Sequence, residues 1–457
     1  MNIIHLSLLL FFAFIGLIVI IVVALKPKLF WIMLIFSVIL GGGIMINGYS
    51  LIDEYLIGCL LGGVLLGLLI RSVCWRYVFQ KKSRFSRMHF QVFFLFMCYL
   101  TLQSIRGLIV LDDLRMIRFI IFFIMLGILS YILFKGFFSI PSLKQIVNIV
   151  LVSSLLYFIL YLGQGIYAEL IRGISRFDTQ GHEWAGSTVA MFPLFCAIPA
   201  IYSVLKKKTG QSFVNKKDHR QIWLAWTTLI IAVVTSFYYD SRISWIAITG
   251  FLILSIRDLG LFKSLKIFII FVVLLFTFLL GAQPEHKLNF ITKINGFYKA
   301  LFISGTGTQE SDVDRKLAIL AALRLITNNP KTLLFGTGFY TERYTLVPYY
   351  TEALSEYGIP TGNPSIVRTA TFPSFIAGVG LVGIFLLFLC FFLTACEIIV
   401  YAKGPNIKGR KILLFTLLIV FISMNISINL DLVLFYFCIM PSGLLVQMSK
   451  HETLSIV

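Results

Sequence analysis

The sequence predicts an all-α fold: a polytopic helical membrane protein with about 12–13 transmembrane helices and one large, partly helical external loop. Three observations predict it. Hydrophobic residues make up 59% of the 457 residues and charged residues only 13%, against roughly half and a quarter in a soluble domain. Apolar runs of about 18 residues or more recur along the whole chain, each long enough to cross ~30 Å of hydrocarbon. Basic residues gather in short loops between those runs: Arg71, Arg76, Lys81, Lys82, Arg84 and Arg87, then Lys206 to Lys208 with Lys216, Lys217 and Arg220, then Lys403, Lys408, Arg410 and Lys411. That pattern marks cytoplasmic loops. A net charge of +19 would otherwise suggest nucleic acid, and the clustering of basic residues in short loops argues against that partner.

The first run, residues 3–25, has no basic residue ahead of it and exceeds the apolar stretch of a signal peptide, so it reads as a retained transmembrane helix. Further spans follow near 29–47, 53–70, 89–108, 116–134, 145–163, 186–205, 221–238, 242–256 and 265–282, then 373–400, 411–428 and 432–448. Anchoring the basic loops inside makes the N-terminus external and the C-terminus cytoplasmic. The organisation is then a transmembrane bundle over 1–282 with a short external loop at 164–185, a large external loop at 283–372, and C-terminal spans over 373–457. The seven cysteines lie in predicted spans or at Cys74 in a cytoplasmic loop, so no disulfide framework is indicated. No tandem repeat is visible.

A loop as long as 283–372 has structure of its own. Ser311-Asp312-Val313-Asp314 is a capping signal for a helix, and Asn328-Asn329-Pro330 stops it. Leu317, Leu320 and Leu323 with their apolar neighbours give the helix a broad face, and Ala318, Ala321 and Ala322 permit close approach. Arg315 and Arg324, nine residues apart, fall on opposite sides at about 100° per residue and cannot grip one small anion together. Gly336-Thr337-Gly338 is not a nucleotide loop, since it lacks a third glycine, a strand–helix context and a Gly-Lys-Ser/Thr sequence. It reads as a tight turn where the chain leaves the helix and returns to the membrane surface.

The external titratable residues admit two readings each. Asp178, His182 and Glu183 form the densest such group, suited to general-base work and equally to a hydrated polar loop. Arg242 beside Asp240 at a helix end is a phosphate contact or a snorkelling side chain. Arg324 fits a solvated face better than a ligand site. Tyr340, Tyr344, Tyr349, Tyr350 and Tyr357 could stack on sugars, or form an interfacial aromatic belt. Glu285, His286 and Lys287 read as a polar stop after a span. Mutual pairing accounts for Arg106, Asp112, Asp113, Arg115 and Arg118. No His/Cys cluster or Asp-x-Asp in the loop has metal-ligand spacing.

Asp314-Arg315 through Asn328-Asn329-Pro330-Lys331-Thr332-Leu333-Leu334-Phe335-Gly336-Thr337-Gly338-Phe339 resembles the arginine–helix–asparagine-proline–glycine signature of the O-antigen polymerase and ligase superfamily. Asp240-Ser241-Arg242 resembles that family's Ser-Arg at an external helix end. Arg176-Phe177 to Gly181-His182-Glu183-Trp184-Ala185 resembles its first external loop. Gly378-Val379-Gly380-Leu381-Val382-Gly383 is similar to the glycine motif opening the span after the large loop. The four motifs occur in order over roughly residues 160–400. Ligases carry a His-Asn pair ahead of that last motif; here the position falls near Arg368-Thr369-Ala370, and Glu183 stands near the asparagine expected in the first loop. The missing histidine favours polymerase and leaves the general base open.

The resemblance implies a GT-C-like glycosyltransferase that moves a growing glycan from undecaprenyl pyrophosphate to a lipid-linked repeat unit at the external membrane face, without cofactor or metal. It implies catalytic roles for Arg242, Arg315, Glu183 and His182, and contacts to substrate or pyrophosphate from Arg172, Arg176, Asp178, Arg324, Arg368 and Tyr340. Implied partners are undecaprenyl-pyrophosphate-linked oligosaccharides, membrane lipid and a chain-length regulator. Arginine suits the chemistry, because its permanent charge and planar fork match phosphate oxygens. The nearest alternative is the ligase acting on lipid A-core. An alternative of another class is a flippase or transporter, whose usual marks are duplicated halves and broken helices near the membrane midplane.

Overall fold

The structure, a computed structural model, describes residues 13–22, 45–46, 49–50, 87–111, 116–135, 143–172, 191–206, 216–238, 242–259, 310–339, 341–356 and 372–401, with scattered helical positions at 29, 32, 39, 62–63, 65–67, 70, 265, 269, 273, 414 and 417–418. These residues are helical almost throughout. The exception is a short antiparallel pair, β1 (Met45–Ile46) with β2 (Tyr49–Ser50). It cuts off the end of the span predicted at 29–47. Asn47-Gly48 between the two pieces is a strong two-residue hairpin signal that the hydropathy reading passed over.

The longer helices are α1 (Arg87–Leu111), α2 (Met116–Lys135), α3 (Leu143–Arg172), α4 (Met191–Lys206), α5 (Lys216–Tyr238), α6 (Arg242–Leu259), α7 (Glu310–Asn328), α8 (Pro330–Phe335), α9 (Glu342–Thr345), α10 (Val347–Glu356) and α11 (Phe372–Tyr401). Within α1, α3 and α11, the segments Gln91–Leu111, Gln145–Tyr167 and Phe375–Cys396 are long and apolar enough to cross a membrane. The predicted spans coincide with these helices to within a few residues at most ends. The largest difference is at α3, which runs to Arg172 where an external loop was expected from 164. Gly163-Gln164-Gly165 lowers the local hydropathy without stopping the helix, and the following Ile166 to Ile171 contains no proline or glycine. At 1.5 Å per residue α3 is about 45 Å long, more than a hydrocarbon core needs.

The helices pack as α1 with α2 and α11, and as α3 with α4 and α5, with α6 against α4. Their outward faces stay apolar. On α2, Ile117, Ile121, Ile124 and Ile128 form an exposed stripe at helical spacing, and on α11 Phe385, Phe388, Phe392 and Ile399 do the same. A helix apolar on every side belongs in lipid. Hydroxyls inside the bundle are satisfied locally, as lipid demands: Thr228 Oγ1 donates to Leu224 O at 2.8 Å, Thr235 Oγ1 to Ile231 O at 2.7 Å and Ser236 Oγ to Ala232 O at 2.7 Å. Tyr157 stacks on Tyr161 at 5.6 Å in the interior of α3.

In the described part of the large loop, α7 and α10 close over the start of α11. Leu317, Ala318, Ala321, Ala322, Leu325 and Ile326 are buried with Leu346, Tyr350, Ala353, Leu354 and Ala377. The alanines at four-residue spacing let α7 approach closely, as expected. The leucine face is different from the one expected: Leu323 is exposed and Leu320 half-buried. The buried ridge follows 317, 321 and 325, on the alanine side, where the backbones come nearest.

Candidate functional site

Asn329 to Thr341 forms the junction of the molecule. Asn329 does not simply end α7; it caps α8, its Oδ1 accepting from Lys331 N at 3.1 Å and Thr332 N at 3.4 Å, with Pro330 at the first helical position. The helix stops at Gly336, which has φ 72°. From there the chain threads between the end of α1 and the start of α11. Thr337 N donates to Ala377 O at 2.8 Å, Gly338 N to Gly378 O at 3.0 Å and Phe339 N to Gln103 O at 3.2 Å. Thr341 Oγ1 locks the turn from within, donating to Gly338 O at 2.7 Å. The ring of Phe339 meets those of Phe119 and Phe123 edge-on, each at 5.3 Å.

The partner surface is made for this chain. Helix α11 is broken at Gly380, with φ 70° and ψ 178°. A Cβ there would strike the Leu334 carbonyl oxygen, and a Cβ on Gly336 would strike the Gly378 carbonyl oxygen. Both glycines thus hold backbone against backbone in a conformation that side chains disfavour. Helix α1 meets carbonyls at the break in α11 and at the end of α8: Tyr99 Oη donates to Val379 O at 2.6 Å and approaches Phe335 O at 3.4 Å, while Arg106 Nη1 donates to Gly336 O at 2.7 Å. The Glu342 carboxylate lies against Gly378, where an added Cβ would meet Oε2 at 2.8 Å.

Tyr99, Gln103 and Arg106 were not among the expected site residues, and Arg106 was read as pairing within its own turn. Asp112 and Asp113 lie outside the described residues, and the partner the structure shows for Arg106 is a carbonyl 230 residues away. The signal was present. Residues 99, 103 and 106 are spaced i, i+4, i+7, one polar face at the end of an otherwise apolar span.

Of the expected residues, Arg324 is the one whose side chain is described. Its Nη2 donates to Glu356 Oε2 at 2.5 Å and its Nη1 lies 3.5 Å from Glu352 Oε2. The hydrogen bond it donates to Glu356, reinforced by both carboxylate charges, raises its pKa above the usual arginine value. Arg324 therefore ties α7 to α10. Arg172 is the last residue of α3, Arg242 the first of α6, and Arg315 stands on α7 nine residues before Arg324. Arg176, Asp178, His182, Glu183, Tyr340 and Arg368 lie outside the described residues, as do Ser241 and the position of the missing histidine.

The arrangement brings together the C-terminal end of α1, the N-terminal ends of α2 and α11, and the 336–341 turn. In the predicted topology these are all external ends. Chemically, the site offers an arginine donor, a carboxylate and backbone carbonyls at the head of membrane helices, a setting for a polar headgroup at a lipid boundary. No protein-family model matches the chain, and no curated protein matches it.

Proposed function

We propose that the protein is an integral-membrane polysaccharide polymerase, a GT-C-type glycosyltransferase working at the external face of the bacterial cytoplasmic membrane. In this reading a hydroxyl of the incoming lipid-linked repeat unit attacks the anomeric carbon of the growing glycan. The new C–O bond forms as the bond from that carbon to diphosphate breaks. Undecaprenyl diphosphate departs with the electron pair, and the hydroxyl proton passes to a base. Fixed positive charge at the leaving diphosphate is the main electrostatic requirement, and Arg242 and Arg315 are the residues assigned to it.

The observation that carries this reading is the meeting of two motifs. The Asn-Pro…Gly-Thr-Gly passage and the Gly378–Gly383 passage, singled out separately in the sequence, interlock backbone to backbone through Gly336 and Gly380. A shared signature spanning two distant segments is what a common framework for one site requires.

A flippase or transporter is the second reading, and the break in α11 favours it, because discontinuous helices are a transporter feature. Gly380 is five residues into the Phe375–Cys396 span, about 8 Å from its start and not at the midplane. That depth favours a membrane-surface site.

Deleting the gene separates the readings. A strain lacking a polymerase still makes and exports single repeat units, and for an O-antigen its surface shows core capped with one unit. Loss of a ligase leaves bare core with polymer stranded on the lipid carrier. Loss of a flippase traps single units inside.

A further inference from the structure

On α1, Arg106 stands at the border between two faces. At about 100° per residue it falls between Tyr99, Gln103 and Gly107, which face the 336–341 turn, and Leu102, Ile105 and Ile109, which face outward. The outward three are 63%, 38% and 76% exposed. Arg106 is exposed as a residue as well, and its part-buried hydrogen bond to Gly336 O fixes the direction of the guanidinium. Among the described residues its acceptor is that uncharged carbonyl, reached through one of its five N–H donors.

Helix α8 completes the surface. Lys331, Leu334 and Phe335 share one face by their i, i+3, i+4 spacing and are all exposed. The helix packs on α11 at the head of a membrane-spanning segment. A cation beside two apolar side chains at that level is an interfacial face, with the ammonium at headgroup height and the leucine and phenylalanine at the hydrocarbon edge. Phe335 and Arg106 are joined through adjacent backbone: Tyr99 reaches Phe335 O and Arg106 reaches Gly336 O.

We propose that Arg106 binds the diphosphate headgroup of a polyprenyl carrier whose chain lies along the outward face of α1 beside Leu334 and Phe335. The inference rests on the polymerase reading for the choice of a polyprenyl diphosphate over an ordinary phospholipid. An amphiphile fits the geometry because a pre-oriented guanidinium and an exposed apolar strip adjoin along one helix. Arg106 thereby adds a binding residue beside Arg242 and Arg315, the arginines assigned to the leaving diphosphate.

The test uses full-length protein in nanodiscs of phosphatidylcholine, with a sugar-free polyprenyl diphosphate as the probe. Arg106→Gln keeps a donor for Gly336 O and removes the charge; Arg106→Lys keeps the charge and removes the fork. Binding of the diphosphate should fall at least about tenfold in Arg106→Gln and less in Arg106→Lys. Binding of the uncharged polyprenol should be the same in all three proteins. Equal diphosphate affinity in wild type and Arg106→Gln overturns the inference. So does a parallel loss of polyprenol binding, which would mean a collapsed surface, and so does competition by phosphatidylglycerol at equal concentration, which would mean an ordinary headgroup. Protein that binds the carrier through Arg106 yet extends no lipid-linked unit would sink the polymerase reading and leave the Arg106 site standing.

Discussion

Gly336 and Gly378 touch through backbone alone: the space a side chain on Gly336 would need is occupied by the Gly378 carbonyl oxygen. Gly380 repeats the relationship in the opposite direction with Leu334. The stretch from Leu334 to Gly336 is therefore fastened to α11 by contacts that only glycine permits.

Gly336→Ala and Gly380→Ala should each damage the protein. Both glycines combine positive φ with ψ near 180°, a region essentially closed to side-chain-bearing residues at a cost of about 1–3 kcal/mol, before the clash with a carbonyl is added. Gly163→Ala is the control, since a Cβ there meets nothing within 4 Å and mid-helix alanine is favourable. Melting temperatures in detergent should fall for the first two and hold or rise for the third. Equal stability of all three variants would show that the clasp does not exist in the membrane.

Phe339 should matter by its ring. It contributes two edge-on aromatic contacts, with Phe119 and Phe123, each worth about 0.5–1.5 kcal/mol beyond area burial. Phe339→Leu should be tolerated and Phe339→Ala should free the turn, read as faster proteolysis between α7 and α10. Identical cleavage in both variants would remove the ring from the account.

Much of this architecture was legible. The α1, α2, α5, α6 and α11 boundaries follow from hydropathy, because in lipid the apolar run and the helix are the same object. The stop at Asn328-Asn329-Pro330 and the turn at Gly336-Thr337-Gly338 were legible from local chemistry, since capping and positive φ depend on the residues themselves. What stayed hidden depends on partners far along the chain. The Arg106–Gly336 bond spans 230 residues, and no local rule separates it from pairing with Asp112 or Asp113. Arg324 is similar: its position on the far side from Arg315 was readable, and its engagement by Glu352 and Glu356 needed the fold of α10. The short strands at Met45 and Tyr49 were signalled by Asn47-Gly48 and lost under an apolar average.

The two arginines should respond differently to lysine. Arg242 is assigned to phosphate and loses its planar fork in Arg242→Lys, so polymer formation should be markedly impaired. Arg324 is held by two exposed carboxylates, a class of contact with small energetic consequence, and Arg324→Lys should keep product within about twofold of wild type. Greater damage from Arg324→Lys than from Arg242→Lys would reverse the assignment.

Orientation underlies every role given to an external residue. A reporter fused at Gly210 should read out the cytoplasm and one fused at Gly358 the external side, as the basic loops dictate. Both reporters on one side would move the junction of α1, α2 and α11 to the wrong face for this chemistry.

Purified protein supplied with lipid-linked repeat units alone tests the central claim most directly. The activated bond already lies in the diphosphate linkage, and the large loop shows no metal-ligand spacing in its sequence. The units should therefore be extended to longer lipid-linked glycans without nucleotide sugar and in the presence of chelator. Extension that requires a nucleotide sugar, or that occurs only when lipid A-core is added, would contradict it.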